Sequence, residues 1–189
     1  CENGYEVSVD VKPFAMVSVT FCPGEEKTEE TPFMLNGNIL ETPFYHMEWN
    51  AGGQLTQIYD KEAERNLLRE GQEGNVFEVF EDKPVGCDAW DIDIFYYQNM
   101  QKVNMVGAPK MIANGPLKAV LRFHYKYHLS EFIQDMVVYK DSKRIDFETY
   151  ADWRETHKLL KVAFYTDIRS TKATYDIQFG HVERPTQWN

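Results

Sequence analysis

The sequence predicts an all-β protein, an antiparallel β-sandwich. Two observations carry this. Apolar and polar residues alternate with period 2 along many segments, which places one side-chain set on each face of a strand. The segments are similar in length and separated by turns every roughly 8–14 residues, the spacing of a sandwich rather than of βαβ units. No stripe at helical spacing competes, although Glu62 to Leu68 could make one helical turn.

Taken in order, Tyr5, Val7, Val9 and Val11 share one face against Glu6, Ser8, Asp10 and Lys12, a strand pattern. Pro13 breaks it, and Ala15 to Phe21 resumes as a second strand. Pro23 to Pro32 holds only Pro, Gly, Thr, Lys and Glu, and reads as a linker. The chain therefore divides into 1–22, 23–32 and 33–189. Beyond the linker, Phe44, His46 and Glu48 alternate with Tyr45, Met47 and Trp49. Asn50-Ala51-Gly52-Gly53 turns the chain, and Leu55 to Tyr59 returns as the partner strand. Asp60 to Glu64 turns again, and Val76 to Phe80 is a short apolar strand. Met100 to Gly107 and Leu117 to Leu129 flank the turn Asn114-Gly115-Pro116, the latter with Ala119, Leu121, Phe123, Tyr125 and Tyr127 on one face. Ile133 to Tyr139, Arg144 to Trp153, Leu159 to Tyr165 and Ala173 to Phe179 complete the set.

The chain has 189 residues, 43% of them hydrophobic and 14% aromatic. That is enough to bury roughly 70% of the unfolded surface without disulfide or metal staples. A net charge of −10 argues against a nucleic-acid partner and against an anionic membrane surface. No apolar run approaches the ~20 residues that span a bilayer. Cys1, Cys22 and Cys87 have no short spacing, so neither a metal knuckle nor a redox pair is suggested; free thiols in a reducing compartment are expected. The polar start, Cys1-Glu2-Asn3-Gly4-Tyr5, is unlike a signal peptide, and with no initial Met the chain reads as a piece of a longer protein.

Asp88-Ala89-Trp90-Asp91-Ile92-Asp93 gathers three carboxylates and an indole. An aromatic plane beside carboxylates suits a sugar, because the ring stacks on C–H faces and the carboxylates accept hydroxyl protons. The same composition also describes a solvated acidic turn. His124 and His128 share a strand face with Arg122 and Lys126, but four residues along a strand is about 13 Å, too far for one metal ion. They read as solvent-facing. Trp153 to Lys158 reads as a polar surface turn. Gly180 to Thr186 reads as a turn after a strand; His181, Glu183 and Arg184 there fit a site rim or an inter-domain salt bridge equally well.

Five segments in this order resemble a known family: Ile58-Tyr59-Asp60-Lys61-Glu62, Glu81-Asp82-Lys83-Pro84, Asp88 to Asp93, His157-Lys158-Leu159-Leu160-Lys161-Val162, and Gln178 to Thr186. Together, from about Leu40 to Asn189, they resemble the C-terminal β portion of the family 38 glycoside hydrolases, the α-mannosidases, in their cytosolic and bacterial branch. The resemblance implies a galactose-mutarotase-like supersandwich, cut mid-domain at Asn189 and so incomplete, with 1–22 as the end of a preceding small β domain. It implies a retaining α-mannosidase acting on terminal α-mannosides in the cytoplasm. Its catalytic aspartate and its zinc, held by His and Asp, would lie on an N-terminal barrel that this chain does not contain, so no catalytic or metal residue is expected here. The barrel and the mannoside are the implied partners, and open sheet edges would permit a homo-oligomer. Trp90 is implied as the aromatic supplied to the sugar pocket, with Asp88 and Asp91 beside it; His181 and Arg184 are implied to face the barrel. Two departures stand out. Gln187 occupies a position where the family would have His, and Tyr165 one where it would have Pro. The alternative is a free-standing carbohydrate-binding or mutarotase-like module, which needs a His acid and a Glu base; His124 and His128 show no evident glutamate partner in the sequence. A structural interaction domain without sugar contact is the third class.

Overall fold

The structure is a computed structural model that describes residues 6–22, 30–88 and 90–187. It is all-β and antiparallel, as the alternation predicts. β1 (Met34–Asn36), β2 (Ile39–Glu41), β3 (Tyr45–Trp49), β4 (Leu55–Asp60) and β5 (Arg65–Asn66) form a five-stranded sheet in sequence order. β6 (Val76–Glu81) lies between β7 (Met100–Lys102) and the distant β12 (Lys158–Ala163). β8 (Lys110–Asn114), β9 (Lys118–Tyr127), β10 (Ser130–Tyr139) and β11 (Ile145–Asp152) form a four-stranded meander. β13 (Lys172–Ile177) and β14 (Gly180–Pro185) pair as a separate hairpin.

The alternation decides what is buried. In β3, Tyr45, Met47 and Trp49 point inward and His46 and Glu48 outward. In β9, Ala119, Leu121, Phe123, Tyr125 and Tyr127 are buried, while Arg122 and Lys126 are exposed. These faces meet in one core with Phe77 and Val79 of β6 and Phe132, Met136 and Val138 of β10. Trp49 stands edge-on to Phe123 at 5.7 Å, and Phe77 packs against Tyr125 at 4.8 Å and Phe132 at 5.4 Å. Each fully buried large apolar side chain contributes about 1.5–3 kcal/mol of transfer free energy. The turn before β4 fits closely: Gly53 has φ +84°, its carbonyl accepts the Tyr125 hydroxyl, and a Cβ there would lie 3.0 Å from that oxygen.

The structure departs from the sequence reading at four places. Residues 6–22 contain no strand; they carry one turn, with Phe14 at φ 57° and Ala15 N–H donating to the Lys12 carbonyl (3.1 Å). Alternation supplies a face, but a strand also needs a neighbour for its backbone groups, and this segment pairs with no strand among the described residues. Glu62 to Leu68 yields the short β5, not a helical turn. Of Met100 to Gly107 only Met100–Lys102 is strand; the Val103 N–H still donates to the Phe77 carbonyl of β6 (2.9 Å), and the Met105 N–H then donates to the Gly52 carbonyl. Gly180 to Pro185 is strand, because β13 turns tightly at Phe179 (φ 60°) and pairs straight back. Of the expected linker, 23–29 lies outside the described residues, as do Cys1, Ala89, Trp188 and Asn189.

Candidate functional site

Residues 82–99 join β6 to β7 and carry Asp88, Trp90 and Asp91. The base of this loop is tied. Glu81 N–H donates to the Asn99 carbonyl (3.3 Å), and the Asn99 amide donates back to the Glu81 carboxylate (3.1 Å). Lys83 pairs with the same carboxylate at 2.5 Å, and with Asn99 it holds Glu81 below the usual glutamate range. Asp82 N–H donates to the His157 carbonyl, anchoring the loop to the start of β12. Further along, the Cys87 carbonyl accepts from both Trp90 N–H (2.7 Å) and Asp91 N–H (3.0 Å), closing a tight turn with Cys87 at φ 54°. The Asp93 carboxylate accepts Phe95 N–H and starts a single 3₁₀ turn, Tyr96–Gln98. Tyr96 stands edge-on to Phe80 at 5.1 Å.

The outer part of the loop is apolar and exposed. Trp90 is 90% exposed, and Val85, Ile92, Ile94, Phe95 and Tyr97 are exposed with it. Asp88 and Asp91 flank the indole in solvent, Asp88 4.0 Å from the His157 imidazole. An exposed ring with carboxylates near it in sequence is the composition that stacking and hydroxyl recognition use. A cluster of exposed apolar side chains marks an interaction surface. The sequence reading singled out Trp90 but not this apolar company; its signal was a run of Ile, Phe and Tyr with no strand partner.

His181 and Arg184 lie on β14, both exposed. The guanidinium of Arg184 sits 6.0 Å from the Tyr175 ring, its one partner among the described residues, while Glu183 pairs instead with Lys172 at 3.0 Å. No hydrogen bond, ion pair or ring contact of the described residues joins His181 or Arg184 to Trp90, Asp88 or Asp91.

Three other positions resolve differently. His128 is not on a strand face with His124; it occupies the β9–β10 turn at φ 48°. Both histidines do have glutamate partners: His124 lies 3.7 Å from Glu131 and His128 3.6 Å from Glu155. Glu155 is taken up by the turn, accepting Ser130 Oγ–H and Leu129 N–H. The first is a cross-strand pair and the second joins the β9–β10 turn to the segment after β11; neither sets an acid and a base across a gap. Tyr165 explains its own departure from proline: its N–H donates to the Glu73 carbonyl, which proline could not do. Its hydroxyl donates to the buried Glu78 carboxylate (2.6 Å), which pushes the phenol up to about 12. Among the described residues no set of three His, Cys, Asp or Glu side chains could hold a metal ion.

The glycosyl hydrolases family 38 C-terminal domain matches residues 40–189. Alpha-mannosidase G of Dictyostelium discoideum is 36% identical over 89% of this chain and 16% of its own length. Alpha-mannosidase 2C1 of Homo sapiens is 32% identical over 79% of this chain and 15% of its own length. An alpha-mannosidase of Saccharomyces cerevisiae is 28% identical over 70% of this chain and 13% of its own. The chain thus spans about a sixth of the length of the curated relatives it matches.

Proposed function

Since the chain belongs to the glycosyl hydrolases family 38 C-terminal domains, we propose that it is the non-catalytic β-sandwich portion of a retaining α-mannosidase acting on terminal α-mannosides. In this reading the sandwich supports a catalytic barrel of the same polypeptide and lends one loop to its sugar pocket. The carrying observation is loop 82–99: a tied base beneath an exposed indole, with carboxylates next to it in sequence and exposed apolar side chains around it. Trp90 stacks on the sugar, with Asp88 and Asp91 beside it. The apolar residues around Trp90 pack on the barrel, as do His181 and Arg184 of the hairpin.

The zinc of such an enzyme would be held elsewhere in the polypeptide, because no three ligating side chains come together among the described residues. The boundary proposed at 23–32 makes 1–22 the end of a preceding β domain. In support, 6–22 exposes Val7, Val11, Met16 and Phe21 and has no sheet of its own. The free, exposed thiols of Cys22 and Cys87 suit a reducing compartment, and we place the enzyme in the cytoplasm, which subcellular fractionation tests.

In the full-length enzyme, Trp90→Ala should lower kcat/KM for an aryl α-mannoside about tenfold, since a stacked aromatic contributes ~0.5–1.5 kcal/mol beyond its area. Thermal stability should hardly change. Wild-type kinetics in this variant would reject the loop as part of the sugar site.

A further inference from the structure

The segment His157 to Val162 lies outside the loop of the proposed site, yet it touches that loop at Asp82, Asp88 and Tyr96. At its start, the His157 carbonyl receives Asp82 N–H. Within β12, Lys161 pairs across the ladder with Glu78 of β6. Opposite charges placed so would be expected to bond, but the Glu78 carboxylate takes the Tyr165 hydroxyl, and Lys161 makes no ion pair among the described residues. Its ammonium lies 4.0 Å from the centroid of the Tyr96 ring and donates to the Tyr96 hydroxyl at 2.5 Å. It is also 5.6 Å from the centroid of Phe80.

Phe80 shows what this arrangement does. Along β6, Phe77 and Val79 enter the core, so Phe80 points to the opposite face. It is nevertheless only 6% exposed, with the Tyr96 ring against it. The loop therefore folds back over the outer face of β6, with Lys161 bound to its one helical turn.

We propose that Lys161 is a positioning residue for the sugar-site loop: it clamps Tyr96 onto Phe80 and so fixes the segment that presents Trp90. This rests on the reading of that loop as lining the sugar pocket. A cation on an aromatic face with a hydrogen bond at the ring's edge restrains both the distance and the direction of Tyr96. Trp90 lies a few residues before that anchor, and the tied base holds the other end.

The test uses the full-length enzyme and an aryl α-mannoside. Lys161→Met keeps the apolar stem and removes the cation and donor; Lys161→Arg keeps both. Lys161→Met should raise KM about fivefold with kcat little changed, the mark of lost uniform binding, and Lys161→Arg should recover most of it. In a Trp90→Ala background, Lys161→Met should add less than about twofold, because both act through one contact. Amide exchange over 85–97 should speed about tenfold in Lys161→Met while β9 and β10 keep their protection. Unchanged loop exchange overturns the clamp. A Lys161→Met loss that multiplies in full with Trp90→Ala overturns action through the loop. Faster exchange with wild-type kinetics in both single variants overturns the loop's part in sugar binding, and with it the positioning role. The exchange readout thus separates a failed clamp from a failed site.

Discussion

Both ring nitrogens of His46 face carboxylates: Nδ1 bonds Glu41, and Nε2 bonds Glu48 at 2.8 Å. A neutral imidazole has one N–H to give, so this geometry favours the imidazolium. Glu41 chiefly, then Glu48, raises the His46 pKa against the opposing effect of partial burial. Burial pushes Glu41 up, but Lys61 (2.6 Å) and His46 together hold it low. A base whose folded pKa is raised contributes stability that is complete below its unfolded value and is lost as pH rises through the folded one. Melting temperature should therefore fall as pH climbs above the ordinary histidine value of 6.5, and His46→Gln should flatten that slope. Melting scans across this range check it; an equal slope in the variant would rule it out. The sequence puts Glu48 on the face of His46, but Glu41 was not legible, because it meets His46 only through the β2–β3 register.

At the scale of elements, β14 and its partner carry the clearest expectation. Arg184 rests on Tyr175 in an otherwise exposed hairpin, so Arg184→Ala should cost the isolated chain less than ~0.5 kcal/mol. In the full-length enzyme it should cost more if the hairpin docks on the barrel; comparing the two melting temperatures decides. The strands that were legible, such as β3, β9 and β13, are those in which apolar residues recur at every second position. β14 was missed because Gly180-His181-Val182-Glu183-Arg184-Pro185 shows no such recurrence, so pairing with β13 and not pattern makes it a strand. Residues 6–22 failed in the opposite sense, with a strand's pattern but no strand to pair with among the described residues. In the proposed site, Trp90 was singled out from the sequence because indole beside carboxylate is a chemical signature. Lys161 was not, because its meaning depends on Tyr96, far away in sequence.

Across the whole molecule, three sheets share one core, yet the apolar loop and the hairpin face outward from it. Such a chain can be a folded scaffold without being a catalyst. The purified chain should release no nitrophenol from an aryl α-mannoside above a mock preparation. Measurable release would show that catalysis resides within these residues. The fold class followed from period and turn spacing, but the partition into sheets did not. β6 neighbours β12, whose place in sequence lies beyond the whole four-stranded meander, and no local pattern announces that pairing.

That pairing also sets an order in time. At a synthesis rate of about 5–20 residues per second, β6 leaves the ribosome on the order of ten seconds before β12 exists to join it. Through that interval Val76-Phe77-Glu78-Val79-Phe80 is a short, strongly β-forming segment with an open edge. Glu78 is the one charge that interrupts it. The carboxylate that ends up buried under the Tyr165 hydroxyl thus has an earlier duty, as a gatekeeper against cross-chain pairing while the nascent strand waits for its neighbour.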